Sequence, residues 1–384
     1  MRGLPLLAAL CSVSAVCGFD LVREYAEDTF FDRWSFYGFW DNLTSGDVEY
    51  LNRTDAFSSK LVSISPQGNA IIRVDNATNV PWNYKRNSIR IESDDLYDFG
   101  TLWVFDINHL PYGCSVWPSI WTHGEDWPIG GEIDIIEAVN FMKVNQMTLH
   151  TLDGCMRADK SGSWGDVGGK NCSTPAGCTI KDKNPSSYGA PFAQAGGGVW
   201  ATQFDIAGVY IWFWSRANVP DSLKSGDHSK VDISKWGAPF ASYPSTNCDM
   251  AKYFTKQKII LNISLCGNWA GLPAVYNTTC STGKNPLGNP NVPANSLQRC
   301  YLENVVGPGS PRYDNAYFDI NAIRAYTTAV PSPTTSSTSG GPHPTTAGGG
   351  ALSHANASSV TPSVLWPALI ALVATWLGAM NVPR

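Results

Sequence analysis

Three carboxylates lie close together in a short apolar stretch of the sequence. Glu132, Asp134 and Glu137 fall within residues 130–140, in a chain where only 15% of residues are charged. A carboxylate that stays ionised can act as a nucleophile, and one that holds a proton can act as a general acid. The residues between them are isoleucines, and this alternation is typical of a half-buried β-strand. On a helix the three positions would scatter around the axis.

The spacing of these carboxylates is irregular for a strand. Perfect alternation puts Glu132 and Asp134 on one face but places Glu137 on the other, where an ionised carboxylate would be very costly. We therefore predict a β-bulge at Ile135-Ile136, which returns Glu137 to the face of the other two. Two carboxyl groups ~5–5.5 Å apart on that face would suit a retaining glycosidase. A solvated strand face or a structural cation site is the alternative interpretation.

The chain around this stretch predicts an all-β fold. About 310 residues, 19–328, have no internal repeat and no linker-like composition, which favours one domain. Short strand-like runs separated by Gly, Pro, Asn and Asp recur throughout this region, and they predict a β-sandwich or jelly roll. The clearest runs are residues 60–65, 70–74, 88–92, 100–106, 145–150, 208–215, 256–266 and 316–326.

Alternation also predicts which side chains share a face in two of these runs. In residues 259–265 the apolar side chains take one face, which leaves Asn262 and Ser264 on a wetter face where a glycan could be attached. In residues 209–214 the alternation puts Tyr210, Trp212 and Trp214 on one face and a second set, which includes the aromatic Phe213, on the other. We expect this strand to pack on the core with one face and to line a groove with the other.

Aromatic residues are the second chemical signal. The chain has 15 tryptophans, and Trp117, Trp121 and Trp127 closely precede the carboxylates. The apolar faces of sugar rings stack on indoles, whereas sugar hydroxyls need polar partners. For any single tryptophan, a place in the core is the alternative. The polar candidates near the carboxylates are Asn140, Gln146 and His150.

Cysteine usage indicates an oxidising compartment. Met1-Arg2 and the apolar run 4–16 are typical of a signal peptide, which we assign to residues 1–18. Eight cysteines follow, an even number that favours up to four disulfides over metal ligation. No two of them have C-x-x-C spacing, which argues against zinc, and the sequence leaves the pairing open. The eight are Cys114, Cys155, Cys172, Cys178, Cys248, Cys266, Cys280 and Cys300.

The C-terminal region has a different composition. Residues 329–363 are rich in Pro, Ser, Thr and Gly, which predicts an extended stalk. Residues 364–384 are apolar and lack a basic cluster, which is typical of a signal for attachment of a glycosylphosphatidylinositol (GPI) anchor. A single retained membrane span is the alternative. We therefore expect an extracellular protein held at the cell surface.

Net charge and glycosylation sequons give two further expectations. The net charge of −5, with no basic run, argues against a nucleic-acid partner. Seven Asn-X-Ser/Thr sequons occur, and each predicts an N-glycan. They are at Asn42, Asn52, Asn76, Asn171, Asn262, Asn277 and Asn356.

The motifs together resemble glycoside hydrolase family 16, in particular the fungal endo-β-1,3(4)-glucanases called laminarinases. The resemblance rests on residues 113–121, 130–140 and 145–151, with support from residues 36–41, 208–216, 265–271 and 316–319. It implies a concanavalin-like jelly roll of two antiparallel sheets with a concave sugar-binding cleft. Residue 268 is Asn where related sequences often have Asp, so this chain departs from the family pattern and has a neutral side chain at this position.

The resemblance also implies roles for single residues. Glu132 would be the nucleophile, Glu137 the acid/base, and Asp134 the residue that orients the nucleophile. His150 would contact this carboxylate network, and Trp121, Trp127 and Trp269 would be sugar platforms. No cofactor is required, no catalytic metal is implied, and a structural calcium is left open. The partner is a β-glucan, and we expect a monomer.

The spacing of the motif favours one activity over its relatives. Family members with Glu-x-Asp-x-x-Glu, the form in this chain, are mainly β-1,3- and β-1,3(4)-glucanases. Members with the shorter Glu-x-Asp-x-Glu include lichenases, xyloglucan-active enzymes and fungal wall transglycosylases. We therefore expect hydrolysis of β-1,3 or mixed β-1,3/1,4 glucan. A wall-remodelling transglycosylase and a non-catalytic glucan-binding module are the alternatives.

Overall fold

Runs of alternating apolar and polar residues form the strands of two large antiparallel sheets in the computed structural model. The structure describes residues 18–158, 166–224, 226–280, 292–293, 295–296 and 298–328. The predicted signal peptide up to residue 17, the predicted stalk and the predicted anchor signal lie outside these residues. The sequon at Asn356 lies outside them too. No helix within the described ranges is long and apolar enough to cross a membrane.

The strands are short and follow one another with few helices between them. In chain order they are β1 Gly18–Ala26, β2 Trp34–Phe36, β3 Val48–Tyr50, β4 Val62–Ile64, β5 Ala70–Arg73, β6 Asn79–Val80, β7 Arg86–Ser88, β8 Arg90–Ser93, β9 Thr101–His109, β10 Val116–His123, β11 Glu132–Glu137, β12 Gln146–His150, β13 Asp166–Val167, β14 Cys178–Lys181, β15 Gly198–Asp205, β16 Gly208–Ser215, β17 Lys230–Asp232, β18 Ala241–Pro244, β19 Lys258–Leu265, β20 Gly307–Pro308 and β21 Tyr317–Thr328.

The helices of the described residues are all short. They are α1 Arg53–Ser58, α2 Gly189–Gln194, α3 Asp221–Lys224, α4 Met250–Tyr253, α5 Gly267–Ala270 and α6 Pro273–Thr279. Single 3₁₀ turns at Glu27–Thr29, Arg216–Asn218 and Ser245–Asn247 and a π-turn at Tyr301–Val305 complete the elements. The first helix begins at an Asn cap, because the side chain of Asn52 accepts a hydrogen bond from the backbone N–H of Asp55.

The two large sheets form the predicted jelly roll. A nine-stranded sheet has the order β17-β1-β21-β9-β15-β16-β18, with β5 pairing β21 and β4. An eight-stranded sheet has the order β13-β14-β12-β11-β10-β19-β8-β2 and contains the carboxylate strand β11 near its middle. The strand pairs in both sheets are antiparallel, so this part of the prediction is confirmed.

The core lies between the inner faces of the two sheets. Trp103, Trp200 and Phe213 come from the nine-stranded sheet, and Ile120 and Ile133 come from the eight-stranded sheet. All five side chains are buried, with exposures of 0% to 4%. Burying each large apolar side chain contributes on the order of 1.5–3 kcal/mol, so this shared core fixes the strands that carry the carboxylates.

The outer face of the nine-stranded sheet is largely covered, and of the groove that we predicted along β16 a pocket of about 440 Å³ lined by Trp212 and Trp214 remains. Trp212 and Trp214 on β16 pack against Trp236, with ring centroids 5.6 and 4.9 Å apart. Val219 and Val231 join the same second apolar cluster. The segment that follows β16 returns over the sheet, so these tryptophans belong to a small second core.

The prediction that Asn262 and Ser264 lie on a solvent-exposed face of β19 is wrong. Asn262 and Ser264 lie in mid-strand between β10 and β8, and they are only 8% and 1% exposed. The amide oxygen of Asn262 accepts a hydrogen bond of 2.7 Å from the indole N–H of Trp121. Alternation placed the two residues on the same face correctly. Side chains of the neighbouring strands, such as Trp121, bury Asn262, so it is not an accessible site for a glycan in the folded protein.

All eight cysteines after the predicted signal peptide form disulfides, as their even number predicted. The pairs are Cys114–Cys280, Cys155–Cys248, Cys172–Cys178 and Cys266–Cys300. One of them, Cys266–Cys300, ties the end of β19 to the π-turn region 34 residues further along the chain. Cross-links over long loops reduce the entropy of the unfolded chain, so these bonds stabilise the loops around the sheets.

Candidate active site

Three rows of side chains cross the middle of the eight-stranded sheet. Because directly opposed residues of antiparallel strands share a face, each carboxylate of β11 has neighbours from β10 and β12. Glu132 lies between His123 and His150, Asp134 between Trp121 and Thr148, and Glu137 between Ser119 and Gln146. The three carboxylates therefore share one face, as predicted.

The predicted β-bulge lies where the sequence places it. Opposite β10 the register shifts between Ile136 and Asp134, so Ile135 has no directly opposed residue. Opposite β12 the register shifts between Asp134 and Glu137 in the same way. Ile135 and Ile136 are both fully buried in the shared core, although they are consecutive. The extra residue is what turns Glu137 away from the core.

The side chain of Glu137 is held by donors from β10. The indole N–H of Trp117 donates to Glu137 Oε1 at 2.8 Å, and the hydroxyl of Ser119 donates to the same oxygen at 3.4 Å. Trp117 is only 8% exposed and packs edge-on against Trp269 at 5.5 Å. Glu137 is partly exposed and has a defined position in the middle of its row.

Glu132 and Asp134 form a second hydrogen-bonded group. The indole N–H of Trp127 donates to Glu132 Oε2, and Glu132 also shares a hydrogen bond with Asp134. His150 Nε2 lies 3.4 Å from Asp134 Oδ2. Asp134 is buried, whereas Trp127 is 48% exposed. The order of contacts is therefore Trp127, Glu132, Asp134 and His150.

The environment of the carboxyls raises their affinity for protons. Burial, and next the charge of Glu132, raise the pKa of Glu137 to about 7, although the Trp117 hydrogen bond opposes this. Burial and the charge of Asp134 likewise raise the pKa of Glu132, and burial with the charge of Glu137 raises that of Asp134. Burial is therefore the largest cause of the raised pKa of each of the three carboxyls, and the charges of their neighbours add to it.

The donors around Glu132 favour its ionised form. The Trp127 hydrogen bond and the nearby imidazole of His150 both lower the pKa of Glu132 and so oppose the effect of burial. Glu137, with a pKa of about 7, can release and take up a proton at near-neutral pH. The arrangement can thus supply one carboxylate nucleophile and one proton donor on the same face.

The same group could also hold a cation. One ligand atom from each of Glu132, Asp134 and His150 lies within 4.8 Å of the others. One imidazole and two carboxylates are ligands that several divalent transition metals accept. A metal ion at this position would occupy the oxygens that the carboxylate chemistry requires, so it would compete with catalysis.

Comparison with known proteins assigns the chain to a family. The model of the XgeA-like catalytic domain of glycoside hydrolase family 16 matches residues 34–326. The chain belongs to glycoside hydrolase family 16. It is 38% identical to an endo-1,3(4)-beta-glucanase of Emericella nidulans over 301 residues, which is 76% of this chain and 45% of that protein.

Two solved family 16 structures have the same fold. Laminarinase 16A from Phanerochaete chrysosporium, with two beta-glucans in its donor and acceptor sites, is 31% identical with a TM-score of 0.71. An elongating family 16 beta-1,3-glucosyltransferase is 33% identical with a TM-score of 0.72. They are matched over 81% and 80% of this chain and over 100% of their own lengths.

The structure separates the predicted sugar-binding residues of this family 16 domain into two groups. Trp127 is exposed beside Glu132, Trp269 is half-buried beside Trp117, and Gln146 is partly exposed in the row of Glu137. Gln146 makes no side-chain hydrogen bond to another described residue. These three, with His150 at the edge of the carboxylate group, are placed where a ligand on this face could contact them.

Two other predicted sugar contacts have internal roles instead. Asn140 is 1% exposed, accepts a hydrogen bond from the backbone N–H of Ser115 and donates one to the carbonyl of Ala270. Its backbone has a φ of +58°, which Asn tolerates better than most residues. Trp121 is 4% exposed and donates to Asn262, so its ring is buried and does not offer an exposed surface on which a sugar could stack.

Sequence reasoning missed three polar residues of this face. Ser119 contacts Glu137, and Thr148 lies opposite Asp134 with a buried hydroxyl that has no described partner. Arg90 lies over the ring of Trp121 at 5.3 Å and pairs with Glu92 at 2.8 Å. The alternation of β8, β10 and β12 could have identified them once the pairing of these strands was known.

The remaining sequons differ in accessibility. Asn42 and Asn52 are exposed, whereas Asn76, Asn171 and Asn277 are partly exposed. The amide of Asn76 donates to Asp314 at 2.8 Å, and Asn52 caps helix α1. A glycan on the amide nitrogen of Asn76 would compete with its contact to Asp314, whereas the cap uses the amide oxygen of Asn52, which a glycan leaves in place.

Proposed function

We propose that this protein is a retaining endo-β-glucanase that cleaves internal β-1,3 linkages, or mixed β-1,3/1,4 linkages, of glucan. The observation that carries the proposal is the bulged strand β11, which brings Glu137 to the same partly exposed face as Glu132 and Asp134. The endo-1,3(4)-beta-glucanase of Emericella nidulans and the glucan-bound laminarinase support the choice of substrate.

The first chemical step would form a covalent glycosyl-enzyme. Glu132, oriented by Trp127 and Asp134, attacks the anomeric carbon as the bond to the leaving oxygen breaks. Glu137 gives its proton to that oxygen, so that the leaving sugar departs as a neutral hydroxyl compound. The raised pKa of Glu137, about 7, keeps this proton available up to near-neutral pH.

The second step would return the enzyme to its starting state. Glu137, now ionised, takes a proton from water as the water oxygen attacks the anomeric carbon, and the bond to Glu132 breaks. The role of Asp134 is to hold Glu132 through their shared hydrogen bond. Loss of the charge on Glu132 during the intermediate removes one cause of the raised pKa of Glu137. This change favours Glu137 as a base in the second step.

An assay on three substrates tests the proposal. Residues 19–328 are purified and incubated with laminarin, lichenan and barley β-glucan, in parallel with Glu132→Gln and Glu137→Ala. We expect release of oligosaccharides by the unmodified domain and strong loss in both variants. Undiminished activity in both variants would overturn the assignment of the site.

A β-1,3-glucosyltransferase is the second candidate, favoured by the likeness to the elongating family 16 enzyme at 33% identity. The two activities differ only in whether water or a sugar hydroxyl attacks the glycosyl-enzyme. Chromatography of products formed with and without an added laminari-oligosaccharide acceptor separates them. Products longer than the substrate, at the expense of reducing ends, would make transfer the main activity.

We also propose that the protein is glycosylated and held at the cell surface by a lipid anchor. Support comes from the composition of residues 1–18 and 329–384 and from the exposed Asn42 and Asn52. Phosphatidylinositol-specific phospholipase C should release the protein from cells, and an N-glycanase should lower its mass. Retention after phospholipase treatment, with release by detergent, would favour a retained membrane span.

The proposed chemistry uses no cofactor and one copy of the chain. Activity should persist in EDTA, and gel filtration should show a monomer. A structural calcium remains a proposal that the same chelator tests, because removal of a stabilising ion lowers the temperature of unfolding. Loss of activity in EDTA would contradict the metal-free mechanism if it occurs without a change in unfolding temperature.

A further inference from the structure

The bulge in β11 leaves two backbone groups without ladder partners. An extra residue in one strand interrupts pairing, and the groups beside it must find other hydrogen bonds when they are buried. In this sheet the groups are the carbonyl of Ile135 and the N–H of Glu137. Ile135 is fully buried, so water does not replace the missing partner.

A single side chain satisfies both groups. The amide nitrogen of Asn145 donates to the Ile135 carbonyl at 2.9 Å, and its amide oxygen accepts from the Glu137 N–H at 2.8 Å. Asparagine presents one donor and one acceptor in the same plane, which is what two adjacent backbone groups of opposite kind require. Asn145 is 0% exposed, so its amide is shielded from competing water.

Asn145 is itself held from outside the carboxylate strand. Its backbone N–H donates to the hydroxyl of Ser187 at 3.0 Å, and its carbonyl accepts from the N–H of Asp182 at 2.9 Å. Residues 182–187 follow β14, which lies between β13 and β12 in the same sheet. The position of the Asn145 amide is therefore fixed by a neighbouring loop as well as by β12.

The geometry points to Asn145 as a positioning residue for the acid/base Glu137. Trp117 and Ser119 hold the carboxyl group of Glu137, while Asn145 holds its backbone. Without Asn145 the two groups of the bulge would seek other partners, and the strand would shift toward regular alternation, which turns Glu137 toward the core. The inference rests on the proposed function, in which Glu137 protonates the leaving oxygen.

A comparison of leaving groups tests this role. A sugar leaving group needs the proton from Glu137, whereas a dinitrophenolate leaves without one. We therefore measure kcat/KM, which reports the first chemical step, for laminarin and for 2,4-dinitrophenyl β-laminaribioside. For Asn145→Ala we expect about a 10²-fold loss on laminarin, as for a displaced catalytic group, and little change on the aryl glycoside.

A matched variant controls for loss of a buried amide. Asn304 is also buried, at 6% exposure, and its amide donates to the Tyr276 hydroxyl and the Cys300 carbonyl, far from β11 in the chain. Asn304→Ala should leave the ratio of the two kcat/KM values unchanged. An equal loss on both substrates for Asn145→Ala would overturn the positioning role, because destabilisation alone has that result.

A reference variant separates this inference from the proposed function. Glu137→Ala should show the same selective loss on laminarin, and to a greater extent. If the kcat/KM of Glu137→Ala falls equally on both substrates, the acid/base assignment fails. If it shows the selective loss and Asn145→Ala does not, only the role of Asn145 fails.

A milder variant decides the question if Asn145→Ala does not fold. Ser187→Ala removes the hydroxyl that accepts from the Asn145 N–H and leaves the amide itself in place. We expect a smaller loss on laminarin, about 3- to 10-fold, with the aryl glycoside unchanged. An unchanged ratio in Ser187→Ala would then overturn the inference.

Discussion

The two sheets carry tryptophans on the faces turned away from their shared core, but the two faces differ in what the indoles contact. On the nine-stranded sheet, Trp212 donates to the carbonyl of Gly237 at 3.1 Å and packs against Trp236. On the eight-stranded sheet, Trp117 and Trp127 donate to carboxylates instead. The same residue type therefore stabilises a second core on one sheet and holds carboxylates in place on the other.

The difference follows from what covers each face. Residues after β16 fold back and bury the outer face of the nine-stranded sheet, and a pocket of about 440 Å³ remains beside them. Trp214 and Phe240 are among its lining residues, and the three carboxylates are not. The open face of the other sheet instead exposes polar rows. A tryptophan count by itself thus does not locate a sugar site, whereas the partner of each indole N–H does.

Removal of the proposed nucleophile should have the largest effect on the difference between the two faces. Glu132→Gln is expected to lower kcat/KM on laminarin by at least about 10³-fold, because the neutral amide cannot attack the anomeric carbon. Trp212→Phe, on the other sheet, is the control and should leave kcat/KM unchanged. A comparable loss in the control would show that both faces take part in catalysis.

Truncation of the second core should act on stability and not on catalysis. Trp236 is 6% exposed, so Trp236→Ala leaves a cavity beside Trp212 and Trp214. We expect the free energy of unfolding in urea to fall by about 3–5 kcal/mol. At a temperature where the variant is fully folded, kcat/KM should equal that of the parent. A lower kcat/KM under those conditions would mean that residues of the covered face help to position the residues of the open face.

Neutralisation of Glu137 should stabilise the fold above neutral pH. Its pKa is about 7 in the folded protein against 4.5 for an ordinary Glu, so the folded state binds this proton more tightly. The resulting stability is complete below pH 4.5 and is lost as the pH rises through 7. Glu137→Gln should therefore raise the free energy of unfolding at pH 8 by about 1–3 kcal/mol, measured by urea titration.

A buried glutamate of another region is the control for this pH effect. Glu303 is 5% exposed and accepts hydrogen bonds from Arg299 at 2.7 Å and from the Tyr276 hydroxyl at 2.8 Å. Glu303→Gln should lower the free energy of unfolding at the same pH, because it removes the charge that pairs with Arg299. Destabilisation by Glu137→Gln as well would contradict the raised pKa of Glu137.

Loss of one indole N–H should have the smallest effect. Trp117→Phe removes the donor to Glu137, and we expect kcat on laminarin to fall by about 10-fold. Because that hydrogen bond lowers the pKa of Glu137, the alkaline limb of the pH–rate profile should move to higher pH. Trp121→Phe loses a hydrogen bond to Asn262 instead and should leave the limb in place. A limb that moves equally in both variants would refute the specific role of Trp117.

Local reasoning succeeded where the decisive interaction lies within one strand. The bulge could be predicted because Glu132, Asp134 and Glu137 cannot share a face without it, and because burial of an ionised carboxylate is so costly. The even number of cysteines predicted disulfides but not their pairing. Alternation did not show what covers a face, so the burial of Asn262 and the second core beside β16 were not predicted.

Sequence by itself determined the all-β fold and the three carboxylates on one face, because periodicity and the cost of burying charge act within a few residues of each other. Only the tertiary structure decided which tryptophans orient carboxylates, how the cysteines pair and why Asn145 is needed. Trp117 and Glu137 are 20 residues apart, and Cys114 and Cys280 are 166 apart. Such contacts depend on strand order and register, which local patterns do not specify.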